Sequence, residues 1–150
     1  MKTQTKFFGE LEYAAEDGLT FPAGLPGFEQ LENWLLLRPE GWEPLGFLQS
    51  LEETETCFVV LPVESVERDY ELAVMEEDLA RLGYALAERA ELSSWAILTI
   101  GEKAGATANL AAPVVIAPAT RRGVQAVRDD RRYSAVQVLE NPGARPEACS

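Results

Sequence analysis

Apolar positions alternate with polar ones over short runs, and Gly, Pro and acidic clusters cut the runs apart. Thr3, Thr5 and Phe7 alternate with Gln4, Lys6 and Phe8, and the alternation resumes at Leu11 and Tyr13. This predicts one strand bent at Gly9, or two short ones. Asp17-Gly18 marks a turn before a short strand, Leu19-Thr20-Phe21, which Pro22 ends. The next six residues, Ala23-Gly24-Leu25-Pro26-Gly27-Phe28, predict an irregular loop with Leu25 and Phe28 plugged into the core. One helical turn is expected within Glu29–Trp34, then strands over Trp34–Leu37, Leu45–Leu51 and Thr56–Val63. The last two form a hairpin around the acidic turn Glu52–Glu55, with Pro62 at the strand end. Residues 64–74 read as loop. Glu76–Gly83 reads as a short helix, acidic in its first turn, basic near its end and capped by Gly83. Weaker helical character is expected over Ala85–Glu91, followed by a long strand over Leu92–Ile100.

The centre of the pattern is Thr107–Ala126, TANLAAPVVIAPATRRGVQA. Val114-Val115-Ile116 favours a buried strand. Pro113 offers no ladder donor, so a break, a bulge or an edge is expected there. Arg121-Arg122-Gly123 reads as a turn in which Gly123 supplies positive φ if the turn needs it. Val124 and Ala126 then return as a second strand. Arg128–Tyr133 reads as a charged connector, and Ser134–Leu139 as a last short strand or helix. Some eight short strands and one or two short helices predict a mainly β fold, a small antiparallel β-barrel-like domain. The expected boundaries are a single domain over 1–140 and a disordered tail over 141–150.

Charge changes this picture. The net charge is −12. Up to residue 120 there are seven Lys/Arg against 21 Asp/Glu, a net −14; beyond it there are six Arg against four acids, a net +2. Such a body repels phosphate backbones and attracts basic partners. Only Arg121–Arg132 offers a basic stretch, and Asp129-Asp130 dilute it. The N-terminus turns acidic at once, unlike a signal peptide, and no apolar run has the length of a membrane span, so a cytoplasmic location is expected.

Catalytic chemistry has little to stand on. There is no His, which removes the usual general base and nucleophile activator. Cys57 reads as a small buried strand residue, and Cys149 sits in the expected tail, so neither a zinc site nor a disulfide is indicated. Asp129-Asp130 could hold Mg²⁺, but ion pairs with the nearby arginines are the better reading. The GLPG run lacks the GK[ST] ending of a phosphate loop.

Five markers resemble the FliW family of flagellar assembly factors. They are Thr5-Lys6-Phe7-Phe8-Gly9-Glu10, Phe21–Glu29, Phe47–Leu51, Thr107–Ile116 and Gly123-Val124-Gln125. Their order and spacing carry the resemblance, which runs from about Thr3 to Tyr133. The chain departs from the family pattern at Ala117, usually Asn, and at Val124, usually Lys. The resemblance implies a non-enzymatic barrel-like protein without a cofactor. It also implies two partners, flagellin and the RNA-binding translational repressor CsrA, whose binding is mutually exclusive, with no direct nucleic-acid or membrane contact.

Candidate partner-binding residues lie on the central hairpin and its rim: Asn109, Leu110, Pro113, Arg122 and Gln125. A second set, Leu25, Pro26 and Phe28, lies on the Gly/Pro loop. The competing structural reading makes Leu110 and Pro113 core and Asn109 the cap of a bulge. An edge beside Pro113 could add a partner strand, or an apolar groove could hold an amphipathic helix. The alternative from another class is a small enzyme or ligand-binding barrel with a carboxylate-lined pocket, its cavity walled by Trp34, Trp95 and Tyr84.

Overall fold

The computed structural model describes residues 1–83, 91–101 and 105–139. Tyr84, most of the weak helical stretch expected over 85–91, and the expected tail lie outside the described residues.

The alternating N-terminal run folds as two short strands, β1 (Lys2–Thr5) and β2 (Gly9–Glu12), paired with each other. This hairpin leans on the main body through Phe8, whose ring meets Phe47 edge-on at 5.2 Å. A single 3-10 turn (Ala15–Asp17) leads into β3 (Leu19–Thr20). The helical turn expected over 29–34 does not form. Instead the Glu52 carboxylate accepts the amides of Glu32 at 2.6 Å and Asn33 at 2.9 Å, and β4 (Asn33–Leu37) starts there. β5 (Gly46–Ser50) and β6 (Cys57–Pro62) form the expected hairpin, with Pro62 closing it. The last residue of the expected strand and the first three of the expected loop make a one-turn helix, α1 (Val63–Val66), that buries Val63. The acidic-to-basic helix is α2 (Glu76–Leu82), and Gly83 caps it in the left-handed conformation.

β7 (Ser93–Gly101), β8 (Gly105–Ala117) and β9 (Arg122–Gln125) complete the barrel, and β10 (Gln137–Val138) adds to β8. The order β8-β7-β6-β5-β4-β3-β9 closes because β9 returns to β8. Seven strands therefore form the barrel. Among the described residues all strand pairings are antiparallel but one: β3 meets β9 in parallel through Thr20 and Arg122.

Period-two alternation fills the interior. Leu36, Leu48 and Phe58 stand across from one another on β4, β5 and β6, as do Val60 and Ile97 on β6 and β7, and Trp95 and Val114 on β7 and β8. Phe21, Trp34 and Leu25 complete the cluster. Trp34 is fully buried and its indole N–H donates to the Leu31 carbonyl. Each such side chain contributes about 1.5–3 kcal/mol. Trp34 and Trp95 are thus core, not walls of a ligand cavity, and the barrel-pocket alternative loses those two residues.

Pro113 does mark an irregularity, and a large one. Ile97 pairs with Asn109 and Trp95 with Val114, so residues 110–113 of β8 stand opposite Ala96 alone. The odd number of extra residues flips the alternation. Leu110 consequently faces outward, into a cluster with Val63, Ala96 and Ala108, while Val114 and Ile116 face the barrel interior. Asn109 caps the excursion: its side-chain oxygen accepts the amides of Ala111 and Ala112 at 3.0 and 3.1 Å. The edge beside Pro113 is already occupied. The Pro113 carbonyl accepts the Ala126 amide, the Ala111 carbonyl accepts that of Arg128, and the Leu110 amide donates to Ser134. No partner strand can add there while these bonds stand.

The turn after β8 also differs from expectation. Arg121 takes the positive φ, +57°, not Gly123. Gly123 lies within β9 for another reason. A Cβ there would sit 2.4 Å from Cζ of Phe21. The residue is small because a buried ring passes against the strand.

Candidate functional site

Three elements meet on the outside of the barrel. The first is the Gly/Pro loop. Gly24 takes φ +64°, and a Cβ there would lie 2.6 Å from the Glu29 backbone, so the loop folds tightly over itself. Its amide donates to the Phe21 carbonyl, and that of Phe28 to the Leu25 carbonyl. Leu25 is buried and Phe28 half-buried against Phe58, which leaves Pro26 exposed between them. The Glu29 carboxylate accepts the Gly27 amide at 3.0 Å, and that bond holds its pKa below the ordinary carboxylate value.

The second element is α2. Leu79 and Leu82 pack with Val115, Ala117, Val124 and Ala126 on the outer face of β8 and β9. Asp78 and Arg81, one turn apart, form an ion pair at 2.9 Å, with Asp78 nearly buried and Arg81 half exposed. The third element is β9. Val124 is buried, and Gln125 donates its side-chain amide to the Ala112 carbonyl at 3.0 Å, which ties it to the β8 excursion.

Between them lies a cleft of about 170 Å³, lined by Gly24, Pro26 and Glu29 from the loop, Asp78 and Arg81 from the helix, and Val124 and Gln125 from the strand. It is too small for a typical small-molecule site of about 300–1,000 Å³. Its lining holds carboxylates, a guanidinium and an amide, but no histidine, thiol or hydroxyl. These groups recognise; they offer no nucleophile with its base.

Two of the residues singled out from the sequence, Pro26 and Gln125, meet in this cleft. Arg122 is exposed nearby, and its guanidinium reaches the Arg81 carbonyl at 3.4 Å. Asn109 is half-buried at the cap of the excursion. Leu25, Leu110 and Pro113 are buried, so their side chains shape the surface from beneath instead of facing a partner. Sequence reasoning missed Glu29, Asp78 and Arg81. The i,i+3 spacing of Asp78 and Arg81 was the available signal.

A second polar cluster lies at the other end of the excursion. The Arg128 side chain is only 3 % exposed. It makes two bonds of 2.9 Å to Asp130, donates to the Glu71 carbonyl at 2.6 Å, and lies over the Tyr133 ring at 4.8 Å. Tyr70 donates to the Leu110 carbonyl, and the Tyr133 hydroxyl accepts the Glu71 amide. The bonds from Arg128 hold the Asp130 pKa down at about 2. Asp130 is therefore committed to an arginine, as the ion-pair reading expects, and the connector is anchored by the buried Arg128 while residues 129–132 stay exposed.

The architecture defines a class: a closed, side-chain-filled β-barrel with a small polar cleft on its outer surface. The family model for FliW protein matches residues 2–139. The chain is 34 % identical over 142 residues to the flagellar assembly factor FliW of Thermotoga neapolitana, covering 93 % of this chain and 94 % of that one. It is 36 % identical over 135 residues to the protein of the same name from Caldanaerobacter subterraneus, covering 89 % of each. A crystal structure of the flagellar assembly factor FliW superposes with a TM-score of 0.84 at 29 % identity, covering 95 % of this chain and 99 % of that one. The chain belongs to the FliW family. That name describes an assembly role and not a catalytic one. No helix among the described residues is long and apolar enough to cross a membrane.

Proposed function

We propose that this chain is a cytoplasmic, non-enzymatic partner switch in flagellar assembly. It binds flagellin, and it binds the translational repressor CsrA, one at the expense of the other. The observation that carries this reading is the family match across residues 2–139. The charge supports it: a −12 body suits an RNA-binding partner, which must display cationic surface. A filled barrel interior also favours surface recognition over catalysis.

The contact surface in this reading is the exposed Pro26 and Arg122 and the half-buried Gln125 around the cleft, with the half-buried Asn109 beyond. Leu25, Phe28, Leu110 and Pro113 support that surface. Ala117 and Val124, the two departures from the family pattern, lie buried beneath α2. Val124 also lines the cleft, and neither residue adds an exposed group.

Calorimetric titration of the full chain against the host's flagellin and CsrA, each alone, tests this. Saturable binding to both is expected. Affinity for CsrA should weaken as salt rises, since screening acts on exposed charge. Binding to neither protein would defeat the proposal.

A further inference from the structure

The cleft has a chemical preference of its own. Its charged lining is Glu29, Asp78 and Arg81. Arg81 is already committed, at 2.9 Å, to Asp78. Glu29 is different. Its carboxylate is held in place by the Gly27 amide, yet no cation lies within 4 Å of it among the described residues. Gln125 donates one of its two amide N–H groups to Ala112, and its oxygen remains as an acceptor. With Asp78 and Arg81 paired, two carboxylates against one guanidinium leave the cleft a net charge of −1, carried by Glu29. The rest of the lining, Ala23, Pro26 and Val124, is apolar.

An apolar wall beside an ordered, uncompensated carboxylate matches a side chain with an aliphatic stem and a cationic head. The size agrees. A volume of about 170 Å³ is close to that of a cavity of about 150 Å³ that holds benzene, enough for one long side chain. An anionic ligand drawn to Arg81 would lie beside two carboxylates, Asp78 and Glu29.

We infer that this cleft is a receptor for a single lysine or arginine side chain presented by a partner protein. The inference rests on the proposed partner-binding function and adds the chemistry by which the partner is read. Glu29 takes the charge, Gln125 offers a further hydrogen bond, and Pro26 and Val124 line the stem. Ordering Glu29 beforehand lowers the entropy cost of binding.

The test uses the full chain, isotopically labelled, titrated with Nα-acetyl-lysine amide and Nα-acetyl-arginine amide. The corresponding norleucine and glutamate amides are controls. At least one cationic probe should shift the Gly27 amide, Val124 methyl and Gln125 side-chain signals saturably, at millimolar concentration. Glu29→Gln keeps an acceptor for Gly27 and should weaken that binding at least threefold. Equal shifts with norleucine, or cation-induced shifts spread evenly over the acidic surface, would overturn the inference.

A second arm uses whichever proposed partner binds. Glu29→Lys should lower its affinity about tenfold, whereas Glu16→Lys, exposed and outside the cleft, should change it less than twofold. Equal effects of the two reversals would also overturn the inference. If neither partner binds, the proposed function falls, and the probe titration still decides the cleft.

Discussion

Replacing Gly123 by Ala tests the closure of the barrel at its tightest point. Strand β9 carries both closing contacts, one to β8 and one to β3. A Cβ on residue 123 would lie 2.4 Å from Cζ of Phe21 and 2.7 Å from each Cε. Carbon atoms settle at about 3.5–4.0 Å, so ring or strand must move by about 1 Å. The ring has little room, because Phe21 is fully buried and meets Trp34 edge-on at 6.2 Å. Overpacking of this kind costs about 1–3 kcal/mol. The entropy that Ala removes from the unfolded chain returns at most about 0.4–1 kcal/mol, so destabilisation wins. With overpacking near the middle of its range the net loss is about 1–1.6 kcal/mol, and at about 2–4 °C per kcal/mol for a chain of this size Tm should fall by roughly 2–6 °C. Near-ultraviolet circular dichroism during heating would read it, with Trp34 as a nearby reporter. Phe21→Leu removes the clashing atoms and leaves a cavity that is itself costly. In the double variant the Ala methyl should occupy part of that cavity, with a favourable coupling of about 1 kcal/mol or more. An unchanged Tm for Gly123→Ala, or strictly additive effects in the double variant, would refute the reasoning.

Arg128→Met removes the bonds to Asp130 and the Glu71 carbonyl and should cost about 3 kcal/mol, read as a lowered urea midpoint at unchanged slope. Asp130 has a folded pKa of about 2, below the ordinary value near 4. Its stabilisation is therefore complete above about pH 4 and is lost as pH falls through 2. Asp130→Asn should flatten the urea midpoint across that window, and an unchanged acid profile would count against the pairing. Burial pushes the Cys57 thiol up to about 11. In a Cys149→Ser background it should react with a disulfide reagent at pH 8 far more slowly than in urea, and equal rates would contradict its half-buried placement. Asn109→Ala frees the Ala111 and Ala112 amides and should cost about 1–2 kcal/mol by thermal unfolding, and an unchanged Tm would contradict the capping role.

The strands were legible wherever one face alone was buried. Alternation and turn residues located β4 to β6 and the cap at Gly83, because period and backbone chemistry are local properties. The excursion at 110–113 was legible only as a proline. What it does, flipping the alternation so that Leu110 and Val114 face opposite ways, depends on which residues of β7 lie across from it. Gly123 was read as a turn glycine because the approach of Phe21, about a hundred positions earlier, leaves no local mark. The cleft had the same difficulty: Glu29, Asp78 and Gln125 belong to three distant segments, and closure of the barrel brings them together. Arg128 read as surface because long basic side chains usually are exposed. Only the tertiary stack on Tyr133 and the bonds to Asp130 bury it.

The most direct test of the proposed switch is competition. CsrA bearing a fluorescent label would be bound to this chain and titrated with flagellin at fixed salt. Mutually exclusive binding predicts complete displacement, with a midpoint set by the two affinities measured separately. A stable ternary complex, with the labelled CsrA retained at saturating flagellin, would contradict the switch.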